Sequence, residues 1–438
     1  MKQVEQIICP KWLIKVDGSA EALLEHAVVI DQGRILAVDQ KRTLLDQFQA
    51  ITITELPDHA LIPGLVNAHT HAAMTLLRGY ADDMPLMNWL QEKIWPAETK
   101  WVSEGFVEAG ADLAIAEMIR GGTTCFNDMY FFPDVVARRA EKHGMRACVG
   151  MIIIDFPTVW AANADEYISK GLQVRDELRH SNLVTTAFAP HAPYTVSDTA
   201  LKRILTLSDE LECQIHMHVH ETEFEIEQST AQFGMRPVER LDQMGMLSSR
   251  LSAVHMTQLL PAEIETLANR GVQVVHCPQS NLKLASGFCP VAELSEAGVS
   301  ISIGTDGAAS NNDLDMIEEM RFASLLSKGV SKDPTAMNAY ESLEAATLGG
   351  AKALGLEETI GSIEKDKSAD LTAINLKSLQ TQPLFNAISQ IVYSSHANHV
   401  TDVWIQGRQV LENQSLTTID TDTLLPDAAS WAEKIRGQ

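Results

Sequence analysis

Short apolar runs separated by polar turns open the chain. Val28-Val29-Ile30 is followed by Asp31-Gln32-Gly33-Arg34 and then by Ile35-Leu36-Ala37-Val38. A glycine between two such runs predicts a β-hairpin. The last seventy residues repeat the habit, with a strand over 369–374 and a hairpin over 402–411. Neither end is large enough to close a core alone, so the two are expected to pair into one small sheet domain, a β-sandwich built from 1–60 and 366–438.

Between them the period changes. Apolar strands over 123–126, 147–154 and 183–189 alternate with helical stretches over 133–143, 164–178 and 198–211. The series continues with strands over 214–219, 253–255, 273–276 and 300–304, most followed by acidic amphipathic segments. Repeated strand–helix units predict a parallel sheet with crossover helices. About eight units fit, so an α/β fold of the (β/α)8 TIM-barrel type is expected over 61–365. No Gly-x-Gly-x-x-Gly follows a strand, which argues against a dinucleotide-binding open sheet.

The positions of histidines and acids sharpen this picture. Catalytic groups of a barrel enzyme sit at the C-terminal ends of its strands. Here His69-Thr70-His71 follows Leu61-Ile62-Pro63-Gly64-Leu65-Val66, His218 ends the run over 214–219, and Glu221 comes three residues later. His255 ends the run begun at Leu251, and Asp306 follows Ile301-Ser302-Ile303-Gly304-Thr305. Side chains at i and i+2 of a strand point the same way, so His69 and His71 can face one metal. Three imidazoles and a carboxylate suit Zn2+ with a position left for water, and Fe2+, Mn2+ or Co2+ accept the same donors. His216 and His220 flank His218, and alternation puts all three on one face. His218 is preferred as the ligand because it alone has a glutamate at i+3.

Composition narrows the partners. With 34 Lys+Arg against 58 Asp+Glu, the formal net charge is -24. Such a field repels nucleic acid and anionic membranes, whereas a small neutral or zwitterionic substrate is compatible. The six cysteines form no Cys-x-x-Cys pair, and neither a signal peptide nor a membrane-length apolar run is read. The expectation is a reduced, cytoplasmic, soluble protein, with a homo-oligomer anticipated only from the prevalence of symmetric assemblies.

Leu61 to His71, as written above, resembles the metal motif of the amidohydrolase superfamily. His218-Val219-His220-Glu221-Thr222, Ser280-Asn281-Leu282-Lys283-Leu284-Ala285-Ser286-Gly287 and Gly304-Thr305-Asp306-Gly307-Ala308-Ala309-Ser310-Asn311-Asn312 resemble the 5-methylthioadenosine/S-adenosylhomocysteine deaminases within it. The resemblance implies one zinc held by His69, His71, His218 and Asp306. It makes Glu221 the carboxylate facing the purine and His255 the imidazole that orients the water. It matches Glu98, in Trp95-Pro96-Ala97-Glu98, to a ribose-binding glutamate, and His191 to a substrate-contacting histidine. On general grounds Glu98 would otherwise read as a surface carboxylate.

Related guanine deaminases and s-triazine hydrolases share the metal and proton-relay motifs, and Glu98 is what favours a ribosyl substrate over theirs. A non-catalytic metal-binding scaffold is the remaining alternative, against which the complete set Glu221, His255 and Asp306 argues. One departure bears on the substrate. Some members of the family carry arginines at the end of the third barrel strand and beyond, suited to the carboxylate of S-adenosylhomocysteine. Residues 151–163 here contain none. Met151, Phe156 and Trp160 are instead expected to form an apolar wall suited to a methylthio group.

Overall fold

The computed structural model describes residues 1–437. Eight parallel strands form the central sheet in strict sequence order. They are β1 Leu65–Thr70, β2 Thr123–Asp128, β3 Arg146–Ile153, β4 Val184–Pro190, β5 Ile215–Val219, β6 Leu251–His255, β7 Gln273–His276 and β8 Ser300–Ile303. Helices Pro133–His143, Ala164–Leu178 and Asp198–Leu211 provide crossovers, as the 3.6-residue period predicted. Burial on both faces explains why these strands read as continuous apolar runs rather than alternating ones: all eight residues of β3 are buried. The first and last strands are brought together beyond the sheet's regular pairing, where Asp306 N–H donates to the His69 carbonyl at 3.0 Å. Gly304 permits this closure, because a Cβ there would lie 2.7 Å from the His69 nitrogen.

The two chain ends form a second, nine-stranded mixed sheet. Its central member is the long strand Phe48–Pro63. This strand runs parallel to Lys2–Leu13 on one side and antiparallel to Leu371–Asn375 on the other. Thus the N-terminal and C-terminal contributions become one sheet only through residues 48–63. The hairpin expected around Gly33 joins His26–Asp31 to Arg34–Gln40, with Gln32 and Gly33 both at positive φ (51° and 74°). Such a turn matches strand twist and favours glycine at its second position.

The C-terminal helix Thr421–Arg436 lays Trp431 edge-on against Phe106 of barrel helix Glu104–Arg120, with ring centroids 5.4 Å apart. A buried ion pair ties the two sheets together. Arg146 at the start of β3 donates from Nε to Asp370 Oδ2 at 2.7 Å, next to strand Leu371–Asn375. No helix among the described residues is long and apolar enough to cross a membrane.

Candidate active site

Four of the expected residues converge at the C-terminal mouth of the barrel. One ligand atom from each of His69, His71, His218 and Asp306 lies within 4.8 Å of all the others. Asp306 Oδ1 is 3.2 Å from both His69 Nε2 and His71 Nε2, and His218 Nε2 is 3.2 Å from His69 Nε2. The protonation of two rings follows from their outer partners. His71 Nδ1 lies 2.6 Å from the Met129 carbonyl and His218 Nδ1 lies 2.7 Å from that of His191. A carbonyl only accepts, so each Nδ1 carries the proton and each Nε2 aims a bare lone pair into the cluster. Lone pairs converging with a carboxylate oxygen call for a cation, and the donor set fits a divalent metal.

Asp306 is held firmly. Its Oδ2 accepts hydroxyl hydrogen bonds from Ser280 (2.6 Å) and Ser310 (2.8 Å), and its Oδ1 accepts from the Gly307 amide at 2.8 Å. Asp306 and His255 both have positive φ, 58° and 77°. This backbone conformation is costly for non-glycine residues and is concentrated at functional sites.

Glu221 lies just past β5, where burial raises its carboxyl above the usual range. Its Oε2 is 3.8 Å from His255 Nε2. Glu225 fixes the backbone here, accepting from the amides of Glu221 (2.8 Å) and His220 (3.1 Å). His191 borders the same space, its ring 4.9 Å from that of His218.

A cavity of about 440 Å³ opens above this cluster and is lined by His71, His191, His218, Glu221, His255 and Asp306 at its floor. Its roof comes from an excursion of the chain after β1, a π-helical turn Trp89–Ile94 continued by helix Trp95–Trp101. This roof carries Trp89, Trp95 and Glu98 into the cavity. Burial, only partly offset by the Tyr130 hydroxyl, lifts the Glu98 carboxyl to about 7. The described residues lining the cavity include no lysine or arginine.

Two expectations need correction. His216, His218 and His220 were expected on one face, and His220 leaves it. His216 Nε2 lies 2.9 Å from His69 Nδ1, on the side of that ring away from Asp306 and His218. β5 ends at Val219, so His220 escapes the alternation. It has φ 54° and turns away, its Nε2 accepting from the Val238 amide. Of the three residues expected to form an apolar wall, only Phe156 lines the cavity, joined by Ile152, Ile154 and Val159. Met151 points to the opposite face of β3, against Gly171, and Trp160 packs on Phe132 with centroids 5.1 Å apart. Strand alternation alone would have distinguished Met151 from Ile152. Ser280, Ser310 and Glu225 went unassigned because a single serine or glutamate at the start of a helix or in a turn carries no periodic signal.

The amidohydrolase family model matches residues 60–410. The chain belongs to the amidohydrolase family. It is 47% identical over 424 residues to a 5-methylthioadenosine/S-adenosylhomocysteine deaminase of Teredinibacter turnerae, covering 97% of this chain and 96% of the relative. It is 46% identical to the protein of that name from Saccharophagus degradans, covering 99% and 97%. Among solved structures, an adenosine deaminase from Xanthomonas campestris with bound zinc superposes with a TM-score of 0.99 at 50% identity, covering all of both chains. An atrazine chlorohydrolase from Arthrobacter aurescens shares the fold, with a TM-score of 0.90 at 20% identity over 98% of this chain and 100% of the other.

Proposed function

We propose that this chain removes the 6-amino group of an adenine nucleoside by hydrolysis. 5'-Methylthioadenosine is the preferred substrate, yielding 5'-methylthioinosine and ammonia, and adenosine and S-adenosylhomocysteine are poorer ones. One observation carries this reading: the cavity joins the His/Asp cluster and Glu221 at its floor to Glu98 in its roof, with an apolar mouth beyond. That sequence of surfaces suits a purine, a ribose diol and an uncharged 5' substituent. The relatives named above support the same reaction. Guanine and s-triazines have no diol for Glu98, and a metal scaffold has no use for Glu221 and His255 in the floor.

The residues proposed to hold the ion are His69, His71, His218 and Asp306, with zinc favoured over iron or manganese. A divalent ion bound there supplies Lewis acidity, lowering the pKa of an attacking water toward ~7. Asp306 Oδ1, facing that position, takes the water's proton while His255 Nε2 orients the oxygen. Glu221 carries a proton, as its raised carboxyl allows, and gives it to N1 of the purine so that C6 accepts the oxygen. Glu221, now ionised, takes the proton of the new C6 hydroxyl and passes it to the amino nitrogen, the C6–N bond breaks, ammonia leaves, and the proton held by Asp306 restores the Glu221 carboxyl. Glu98 accepts hydrogen bonds from the ribose hydroxyls and His191 contacts the nucleoside near the metal.

Ammonia release from adenine nucleosides, guanine and triazines, measured on protein of known metal content, tests the reading. Turnover of 5'-methylthioadenosine is expected. Release from guanine or a triazine alone would overturn it.

A further inference from the structure

Helix Pro278–Lys283, directly after β7, lies within the Ser280–Gly287 motif, most of which the mechanism above leaves without a role. Three of its side chains reach three parts of the site. Ser280 donates to Asp306 Oδ2, as described. Lys283 Nζ donates at 2.6 Å to Asp82 Oδ1 and at 2.6 Å to Asn312 Oδ1, pinning the start of the roof to the loop after Asp306. Between them, Asn281 is 1% exposed and places Oδ1 2.8 Å from His255 Nδ1.

That contact is the only hydrogen bond to the His255 ring among the described residues. The ring stacks on His218 at 16° and 5.4 Å between centroids. Stacking fixes the plane of a ring but not which nitrogen carries its proton. An amide oxygen only accepts, so it draws the proton to Nδ1 and leaves a lone pair on Nε2. Nε2 is the atom facing Glu221.

Packing does not explain an asparagine here. Its Nδ2 is buried without a partner, a liability that leucine of similar volume would avoid. Its backbone groups already serve the local fold, donating to the Cys277 carbonyl and accepting from the Ser286 amide.

We infer that Asn281 is the positioning residue for His255, holding the proton on Nδ1 and the Nε2 lone pair toward the attacking water. The inference rests on the proposed role of His255 in orienting that water.

Asn281→Asp and Asn281→Leu, made in the full chain and loaded with zinc, separate this from a structural role. Leucine removes the acceptor, and kcat should fall by ~10²-fold, the scale of one proton-handling interaction. KM should stay within about threefold and zinc per chain should equal that of the parent. Aspartate keeps an acceptor oxygen and should retain kcat to within about tenfold. A packing role demands the opposite order, since leucine fills the space and aspartate buries a charge. Leucine matching or exceeding aspartate overturns the inference.

Nitrogen-15 spectra of the imidazoles in the zinc-loaded parent, with His255 assigned by His255→Gln, give a readout independent of substrate. A protonated Nδ1 and a bare Nε2 are expected, with a mixture of tautomers in Asn281→Leu. An Nε2–H tautomer in the parent overturns the inference. If the parent releases no ammonia from any nucleoside, the proposed function fails, while the tautomer still decides the role of Asn281.

Discussion

Exchanging the methylthio group of 5'-methylthioadenosine for the homocysteine moiety of S-adenosylhomocysteine should cost this protein most of its specificity constant. The mouth of the cavity is built from Ile154, Phe156 and Val159, and Trp95 meets Phe156 with ring centroids 6.1 Å apart. A carboxylate entering here finds no lysine or arginine in the lining, and Glu98 and the net charge of -24 oppose it. Leaving such a group imperfectly solvated and unpaired costs ~1–3 kcal/mol, or about five- to 150-fold in kcat/KM. Phe156 and Val159 are 40% and 44% exposed, so water shares the load and the lower half of that range is expected. Phe156→Arg places a cation at the mouth. An exposed pair is worth ~0.2–1 kcal/mol, so this change should narrow the ratio by no more than about fivefold. The assay is ammonia release from both nucleosides on one zinc-loaded preparation. Equal or reversed specificity constants in the parent would refute the argument from the lining.

Four further outcomes follow from the geometry. His69→Ala should lose metal and turnover together, and full metal occupancy with normal turnover would contradict its place among the ligands. Glu221→Gln keeps the shape but not the proton, so kcat should fall by ~10²–10⁴-fold while metal content and KM change little; steady-state kinetics beside elemental analysis checks this. Glu98→Ala should penalise nucleosides selectively, and equal losses on adenosine derivatives and ribose-free bases would count against a diol contact. Asp370→Ala strands the buried guanidinium of Arg146, whose side chain is 5% exposed. Denaturant unfolding should register a loss of ~3–5 kcal/mol; a loss below about 1 kcal/mol would mean that water reaches the pair.

The barrel was legible because short continuous apolar runs alternate with segments of helical period. Helices Pro133–His143, Ala164–Leu178 and Asp198–Leu211 lie where the sequence pattern predicts them. The convergence of His69, His71, His218 and Asp306 was legible for a related reason: a polar side chain ending a buried apolar strand has few places to go but the barrel mouth. Sequence could not reveal the roof. Residues 86–101 pass through a π-helical turn, so no single period runs through them. Glu98 reads as a surface carboxylate until that turn folds it over the cavity. His220 shows the limit of alternation, which ends with the strand. Asn281 shows another, since a single amide facing a ring from another segment leaves no mark along the chain.

The strand Phe48–Pro63 also bears on how the protein is made. Its pairing partner Leu371–Asn375 emerges from the ribosome only after every barrel strand has been synthesised. Throughout that interval the strand's edge over residues 59–63 stands open, a template for pairing with another nascent chain. Its N-terminal half has the alternating exposed residues of a sheet surface, with Ile51 and Ile53 turned outward even in the finished fold. Premature release of the chain before residue 371 therefore leaves a sticky, half-built sheet attached to a complete set of barrel strands.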